Sequence, residues 1–420
     1  VNADIRRLLV VTPDPPLPVW GFGTRVYQLT RHLSDRHRVT LLTAASPAQT
    51  EDVRVLRRQF GDLRVAQVDD AAGRLLRRGR QAISVMIRRP FHGGELVSPV
   101  LQEAINRCIS DVKPDIIQVE SSRLFGFAFA TDAPIVLDEH NVESELLERM
   151  HQGERSFVRR AYYRLESDRY RVLEETAWAS ADAVAVTSQR ESALVGKRSP
   201  QTLVRVVPNG VDSSYFAPRD TEVDPAMVVF VGLLSYRPNF EGVQWFVDEV
   251  LPRIHRTRPD TVVVVVGGSN RPESNKMLSR PGVILTGWVP DVRTYLARAA
   301  VVVVPIRMGG GTRLKVVEAL SMRKPVVSTA LGSEGIDVRN ESELLIADDP
   351  DEFAASTCRL LRDRDFADRL GARGRNLVVD RYSWRGSARL LEALHGELVS
   401  SPRRPRGQVT PPSNLRSGCA

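Results

Sequence analysis

The stretch Val301-Val302-Val303-Val304-Pro305-Ile306-Arg307-Met308-Gly309-Gly310-Gly311-Thr312-Arg313-Leu314-Lys315-Val316-Val317-Glu318 decides the fold class of this 420-residue chain. Its valine run reads as a buried strand, and residues 314–322 carry the apolar spacing and good helix formers of a packed helix. Gly309, Gly310 and Gly311 therefore fall on a strand-to-helix turn. There the backbone N–H groups can approach an anion without Cβ interference, and the positive helix start favours phosphate. Arg313 and Lys315 add full charges. Glu318, one turn deeper, suits paired ribose hydroxyls better than phosphate, so the segment reads as a nucleotide-diphosphate site. A plainer account also fits: a glycine turn followed by an i,i+3 surface pair of Lys315 and Glu318.

The same strand–helix rhythm runs through the first half of the chain. Strands are expected at residues 8–11, 38–42, 63–68, 115–119, 135–137 and 183–186, with helical patterns at 24–34 and a long arginine- and glutamate-rich helix around 154–179. Alternation of this kind predicts parallel sheets with helical crossovers. After the turn-rich Pro208-Asn209-Gly210-Val211-Asp212 the rhythm restarts, with strands expected at 227–231, 262–266, 283–285, 301–304 and 326–327. The fold class is therefore α/β with two Rossmann-like domains, 1–207 and 208–381. A helix at 382–399, announced by Tyr382-Ser383-Trp384, and a Pro-, Arg- and Ser-rich tail at 400–420, expected to be disordered, complete the chain.

A chain of this length, 42% hydrophobic and 26% charged, has the composition of a globular protein of two domains. No charged-then-apolar leader is recognisable and the valine runs are too short to cross a bilayer, so a cytoplasmic location is expected. Cys108, Cys358 and Cys419 offer neither metal spacing nor a disulfide framework. The net charge of +8 suits anionic partners. Arg74, Arg77, Arg78, Arg80, Arg88 and Arg89 crowd an acid-free stretch interleaved with apolar residues. That composition fits an interfacial segment on anionic lipid, and equally a solvated arginine face. No aromatic-rich strand motif, zinc finger or clear helix-turn-helix accompanies it, and no nucleic-acid partner is expected.

Residues 305–328, with Gly-Gly-Gly-Thr-Arg-Leu-Lys, Glu-Ala and Lys-Pro-Val-Val, resemble the donor motif of the retaining glycosyltransferase family four, which has the GT-B fold. The resemblance implies two domains facing across an interdomain cleft, with the donor on the second. Most members carry two glutamates eight positions apart; Glu318 matches the second and Gly310 stands at the first, as in a triple-glycine subgroup. The lysine that members place after the first strand of the second domain is missing from Gly232-Leu233-Leu234-Ser235-Tyr236-Arg237-Pro238-Asn239, which shifts phosphate binding onto Arg313 and Lys315.

Gly21-Phe22-Gly23-Thr24 follows the first strand and opens a helix. A dinucleotide fingerprint would need a third glycine at Val26 and an acid ending the second strand, where Leu42 and Thr43 stand, so a dehydrogenase is disfavoured. The resemblance places Gly21 and Gly23 at the cleft; a tight turn alone is the other account. His140 ends a parallel strand in Ile135-Val136-Leu137-Asp138-Glu139-His140-Asn141, where open α/β sheets present ligand-binding groups. The resemblance puts such a histidine against the donor sugar. Asp138 and Glu139 read as helix-capping or supporting carboxylates, and Glu120 as a further group at a strand end.

Asp349-Pro350-Asp351 and Asp363-Arg364-Asp365 match the Asp-x-Asp pattern of metal-dependent sugar transferases. The first, with proline at the first helical position and Glu352 three residues after Asp349, is a helix-start signal, and the second lies between helical stretches. No metal site is expected. Nor does any Walker loop, His-Glu-x-x-His pattern or nucleophile elbow appear.

Together these readings lead to a cytoplasmic glycosyltransferase of hexosyltransferase type. It is expected to act without a metal or cofactor, with retention, from a nucleotide-sugar donor to a polysaccharide, glycolipid or glycoside, with an anionic membrane as a further surface. The donor-binding residues are Gly309, Gly310, Gly311, Thr312 and Glu318, and the catalytic ones His140, Arg313 and Lys315. A nucleotide-sugar epimerase, or a catalytically silent membrane-associated scaffold of the same fold, are the alternatives.

Overall fold

The computed structural model describes residues 5–68, 98–154, 156–269, Met277 and 280–401; the arginine cluster at 74–89, Cys419 and the tail beyond Ser401 lie outside them. The chain divides into two compact units, Val1–Pro208 with Ser387–Ala420, and Asn209–Gly386.

The first unit is built on seven strands, β1 (Arg7–Thr12), β2 (Arg38–Ala45), β3 (Leu63–Gln67), β4 (Ile116–Glu120), β5 (Ile135–Glu139), β6 (Ala183–Val186) and β7 (Val204–Val206). Their order is β3-β2-β1-β4-β5-β6-β7, and every pairing is parallel. Such strands are covered on both faces, which explains why β1 is buried beyond Arg7 and why β4 and β5 are buried along their whole length, polar ends included. Helix α1 (Gly21–Ser34) follows β1; α2 (Glu143–Gly153) and α3 (Phe157–Ser180) follow β5, α3 being the expected long helix. Chain order reverses between β1 and β4, so the carboxyl ends of those strands open where doubly wound sheets bind ligands.

The second unit repeats the plan with six parallel strands, β8 (Asp224–Val231), β9 (Val262–Val266), β10 (Val283–Leu285), β11 (Ala299–Val304), β12 (Val326–Ser328) and β13 (Leu345–Ile346), ordered β10-β9-β8-β11-β12-β13. Its switch point lies between β8 and β11. Helices α4 (Arg237–Trp245) and α5 (Leu314–Ser321) follow those two strands, and α6 (Pro350–Arg362) and α7 (Arg364–Arg381) come later. The last helix, α8 (Trp384–Ser400), belongs to the first unit from Ser387 on, where Glu392 pairs with Arg36 at 2.9 Å and Glu397 with Arg205 at 3.0 Å.

Both Asp-x-Asp matches are helix starts. Asp349 accepts from the backbone N–H groups of Asp351 and Glu352 at the head of α6, and Asp363 from Phe366 at the head of α7. Among the described residues no helix is long and apolar enough to cross a membrane.

Candidate functional site

In the second unit the loop from β11 to α5 carries the three glycines, as the sequence predicts. Gly309 and Gly311 have φ of 119° and 72°, a region that L side chains rarely adopt, and a Cβ on Gly309 would come within 2.7 Å of the Arg313 guanidinium. Arg313 precedes the first turn of α5 and turns its guanidinium back onto the Gly310 carbonyl. Lys315, in the first turn of α5, reaches the neighbouring strand end. Its ammonium donates to Asn239 Oδ1 at 2.7 Å and lies 4.1 Å from the Phe230 ring centroid. Asn239 is fixed in turn by donating from Nδ2 to the Leu233 carbonyl at 2.9 Å. Lys315 thus brings its ammonium from α5 to the carboxyl end of β8, at the switch point.

Burial, with the Arg313 charge beside it, lowers the Lys315 pKa to about 7. Burial likewise raises Glu318 to about 7, against the pull of Lys315. The two are not an ion pair, so the surface-pair account fails: Lys315 is held by Asn239, and no hydrogen bond engages the Glu318 carboxylate among the described residues. Thr312 lies half-buried on the same loop.

In the first unit the residues converge at the carboxyl ends of β4 and β5. His140 Nε2 sits 2.7 Å from Glu120 Oε2 and 3.8 Å from Asp138 Oδ2. Glu120 also accepts from Gln118 at 2.5 Å, and Asp138 forms a two-pronged pair with Arg25 of α1 at 2.9 and 2.7 Å. Arg25 and Asp138 are fully buried, and Arg25 closes its own hydrogen bonding on the Val207 carbonyl at 2.8 Å. Burial and the Asp138 charge raise the Glu120 pKa. At Asp138 burial pushes the same way, but the charges of Arg25 and His140 outweigh it and the pKa falls. Two adjacent carboxyls are thereby driven apart in acidity, with His140 between them.

Glu139 points to the other face of the sheet, as the two-residue period of a strand requires. It accepts from Trp178 Nε1 of α3 at 3.0 Å and from the Ser122 hydroxyl, and burial with the Glu174 charge holds its pKa well above the usual range. Neither Asp138 nor Glu139 caps a helix; the N-cap of α2 is Val142, which makes no side-chain capping bond. The two glycines of the first loop differ as well. A Cβ on Gly23 would meet the Leu17 carbonyl oxygen at 2.1 Å, so that glycine is demanded by packing, whereas a Cβ on Gly21 would meet nothing within 4 Å.

Sequence reasoning overlooked Asn239, Arg25 and an aromatic series on the β1–α1 loop. Phe22 stacks on the His140 imidazole at 4.4 Å and Trp20 on Phe22 at 5.1 Å. An exposed-looking Trp-Gly-Phe-Gly beside a glycine turn was the available signal, but only the fold brings it to His140.

Comparison with known proteins assigns this arrangement. Solved structures that align along the chain include sucrose-phosphate synthase from Thermosynechococcus elongatus, at TM-score 0.67 and 19% identity over 94% of this chain and 99% of that one. Anabaena HepE in complex with UDP aligns at TM-score 0.69 and 13% identity over 94% and 100%. Two doubly wound parallel domains of this kind are the GT-B fold. Residues 19–215 match the family model described as glycosyltransferase family 4, and residues 225–363 the model described as glycosyl transferases group 1. Together the two matches support a glycosyltransferase of the family-four type. Among curated proteins it is 29% identical over 241 residues, 51% of this chain, to the GDP-mannose-dependent alpha-(1-6)-phosphatidylinositol monomannoside mannosyltransferase of Mycolicibacterium smegmatis. It is 26% identical over 135 residues, 30% of this chain, to an uncharacterized 44.6 kDa protein in the cps region of Klebsiella pneumoniae. The matched stretches span 63% and 35% of those relatives' own length.

Proposed function

We propose that the protein transfers a hexose from a nucleotide-diphosphate sugar to a polysaccharide, glycolipid or glycoside, with retention at the anomeric carbon and without a metal ion. The observation that carries this reading is the convergence of the glycine loop, the Lys315 ammonium and the unpaired Glu318 carboxylate at the switch point of the second sheet. Departure of the nucleotide diphosphate builds negative charge on its terminal phosphate. Lys315, Arg313 and the N–H groups of Gly309, Gly310, Gly311 and Thr312 would stabilise that charge, the part a divalent cation plays elsewhere. Glu318 would take the ribose hydroxyls. His140, backed by Glu120 and Asp138, would position the sugar and its cationic transition state, and the acceptor would attack from the face the leaving group vacates.

Support comes from outside the site too. The Mycolicibacterium relative is a GDP-mannose-dependent phosphatidylinositol monomannoside mannosyltransferase, and the Anabaena structure holds UDP. A location on the cytoplasmic face of a membrane accords with a lipid-linked acceptor. Thermal shift across UDP-, GDP- and ADP-sugars tests the donor, since a ligand that binds only the folded state raises its stability. Transfer of radiolabelled sugar from the stabilising donor to a membrane or polysaccharide extract tests the reaction. Failure of all three nucleotide classes to stabilise the protein refutes the reading.

A further inference from the structure

Trp20 stands at the N-cap of α1 in an extended conformation, and its side chain makes no capping hydrogen bond. Helix starts favour Ser, Thr, Asp or Asn at that position, so helix formation does not account for an indole there. Burial does not account for it either. Trp20 remains 45% exposed and its neighbour Val19 69% exposed, although leaving a large apolar ring in water forgoes stabilisation. The loop that presents the ring is nonetheless tightly fixed. Val19 donates its N–H to the Leu17 carbonyl at 2.8 Å, Thr24 donates to the Trp20 carbonyl at 2.8 Å, and Gly23 abuts the Leu17 carbonyl oxygen where no side chain would fit.

The indole is the outer member of a continuous stack. Its plane lies 20° from that of half-buried Phe22, which in turn lies 29° from the imidazole of His140, at ring spacings of 5.1 and 4.4 Å. The inner ring is anchored by the buried Glu120. A rigid, exposed aromatic face of this kind suits one polar ligand class especially well. A pyranose ring carries its hydroxyls around the rim and presents a face of axial C–H bonds, which packs against an aromatic surface whose quadrupole is negative.

We propose that Trp20 is the platform of a carbohydrate subsite for the acceptor, and that it holds a sugar one residue removed from the one that reacts. The separation follows from the stack: the indole stands two ring spacings from His140, too far for one sugar to rest on it and react beside the imidazole. The acceptor class is therefore a glycan or glycoside of at least two sugar units. The inference rests on the transferase reading above for the word acceptor, while the subsite itself rests on Trp20, Phe22 and His140. Because the platform is held in place before binding, little ordering cost falls on the protein when the sugar docks.

Saturation-transfer NMR on the full chain tests the subsite. The probes are maltose, cellobiose, lactose and α-1,6-mannobiose, the methyl glycosides of their constituent monosaccharides, and octyl β-glucopyranoside. At least one disaccharide is expected to show saturation concentrated on axial C–H protons of one ring. That signal should fall at least fivefold in Trp20→Ala, stay within about twofold in Trp20→Tyr, and be weak for the monosaccharides. Melting curves and UDP or GDP binding, measured in parallel, separate loss of the platform from loss of fold. If no disaccharide shows Trp20-dependent saturation, the proposal is overturned, and if octyl glucoside is saturated on its alkyl chain alone, the platform is apolar and not a sugar subsite. Loss of nucleotide binding in the wild-type protein would instead strike the transferase reading and leave the subsite standing.

Discussion

Replacing Lys315 by methionine removes the ammonium that sits over the Phe230 ring while keeping an unbranched side chain. A hydrogen bond from a charged donor contributes about 1.5–3 kcal/mol, so UDP or GDP should bind roughly ten- to a hundredfold more weakly. The pH dependence is the sharper test. Since burial lowers Lys315 to a pKa of about 7, the lysine of the empty protein is charged below that pH and neutral above it. Binding a diphosphate above pH 7 must therefore draw a proton from solution. The cost grows by about 1.4 kcal/mol per pH unit, and Kd should rise about fiftyfold between pH 7 and 9. The ligand's own terminal phosphate, with a second pKa of about 6, is already ionised over this range. Calorimetry in two buffers of different ionisation enthalpy counts the protons taken up, expected near one at pH 8.5. A wild-type Kd flat from pH 7 to 9, or an equal slope in Lys315→Met, would refute the role given to this lysine.

Glu318→Gln should weaken nucleotide binding yet stabilise the empty protein in alkali. A carboxyl raised from 4.5 to about 7 costs the folded state nothing below pH 4.5 and a penalty that grows between pH 4.5 and 7 to about 3 kcal/mol, so melting curves of the variant and the wild type should coincide at pH 4.5 and separate at pH 8. His140→Ala should cut sugar transfer at least a hundredfold while leaving UDP or GDP affinity within about twofold; full turnover would return His140 to a packing role. Asp349→Ala should lower stability by about 1 kcal/mol through loss of its cap, with transfer unchanged in the variant and in EDTA, and activity restored only by manganese would contradict the metal-free reading. Arg25→Ala should destabilise the protein by about 3–5 kcal/mol by stranding the buried Asp138 carboxylate, and Arg25→Met with Asp138→Leu should recover most of that in urea melts.

Much of this architecture was legible along the chain because parallel strands are written as short apolar runs. Residues 262–266 and 283–285 were placed to the residue, and the strand at 301–304 starts only two residues earlier, at Ala299. Shorter or polar-ended strands were not legible. Val204–Val206 and Leu345–Ile346 are too brief to show a period, and β5 runs on through Asp138 and Glu139, whose charges disguise a strand that is buried to its end. The glycine loop was readable because its composition is local. The partners of its charges were not: Asn239 lies 76 residues from Lys315 and Arg25 lies 113 from Asp138, and no spacing rule links such pairs before the sheets bring them together.

The contrast between Gly21 and Gly23 bears on how such an enzyme could acquire a new acceptor. Gly23 has no room for a side chain, because a Cβ there would collide with the Leu17 carbonyl. Gly21, two positions earlier and flanked by Trp20 and Phe22, has open space where its side chain would be. A substitution at Gly21 adds a functional group beside the aromatic stack without disturbing the packing behind it, which makes this one codon the natural place to diversify in a library selected for altered acceptor preference.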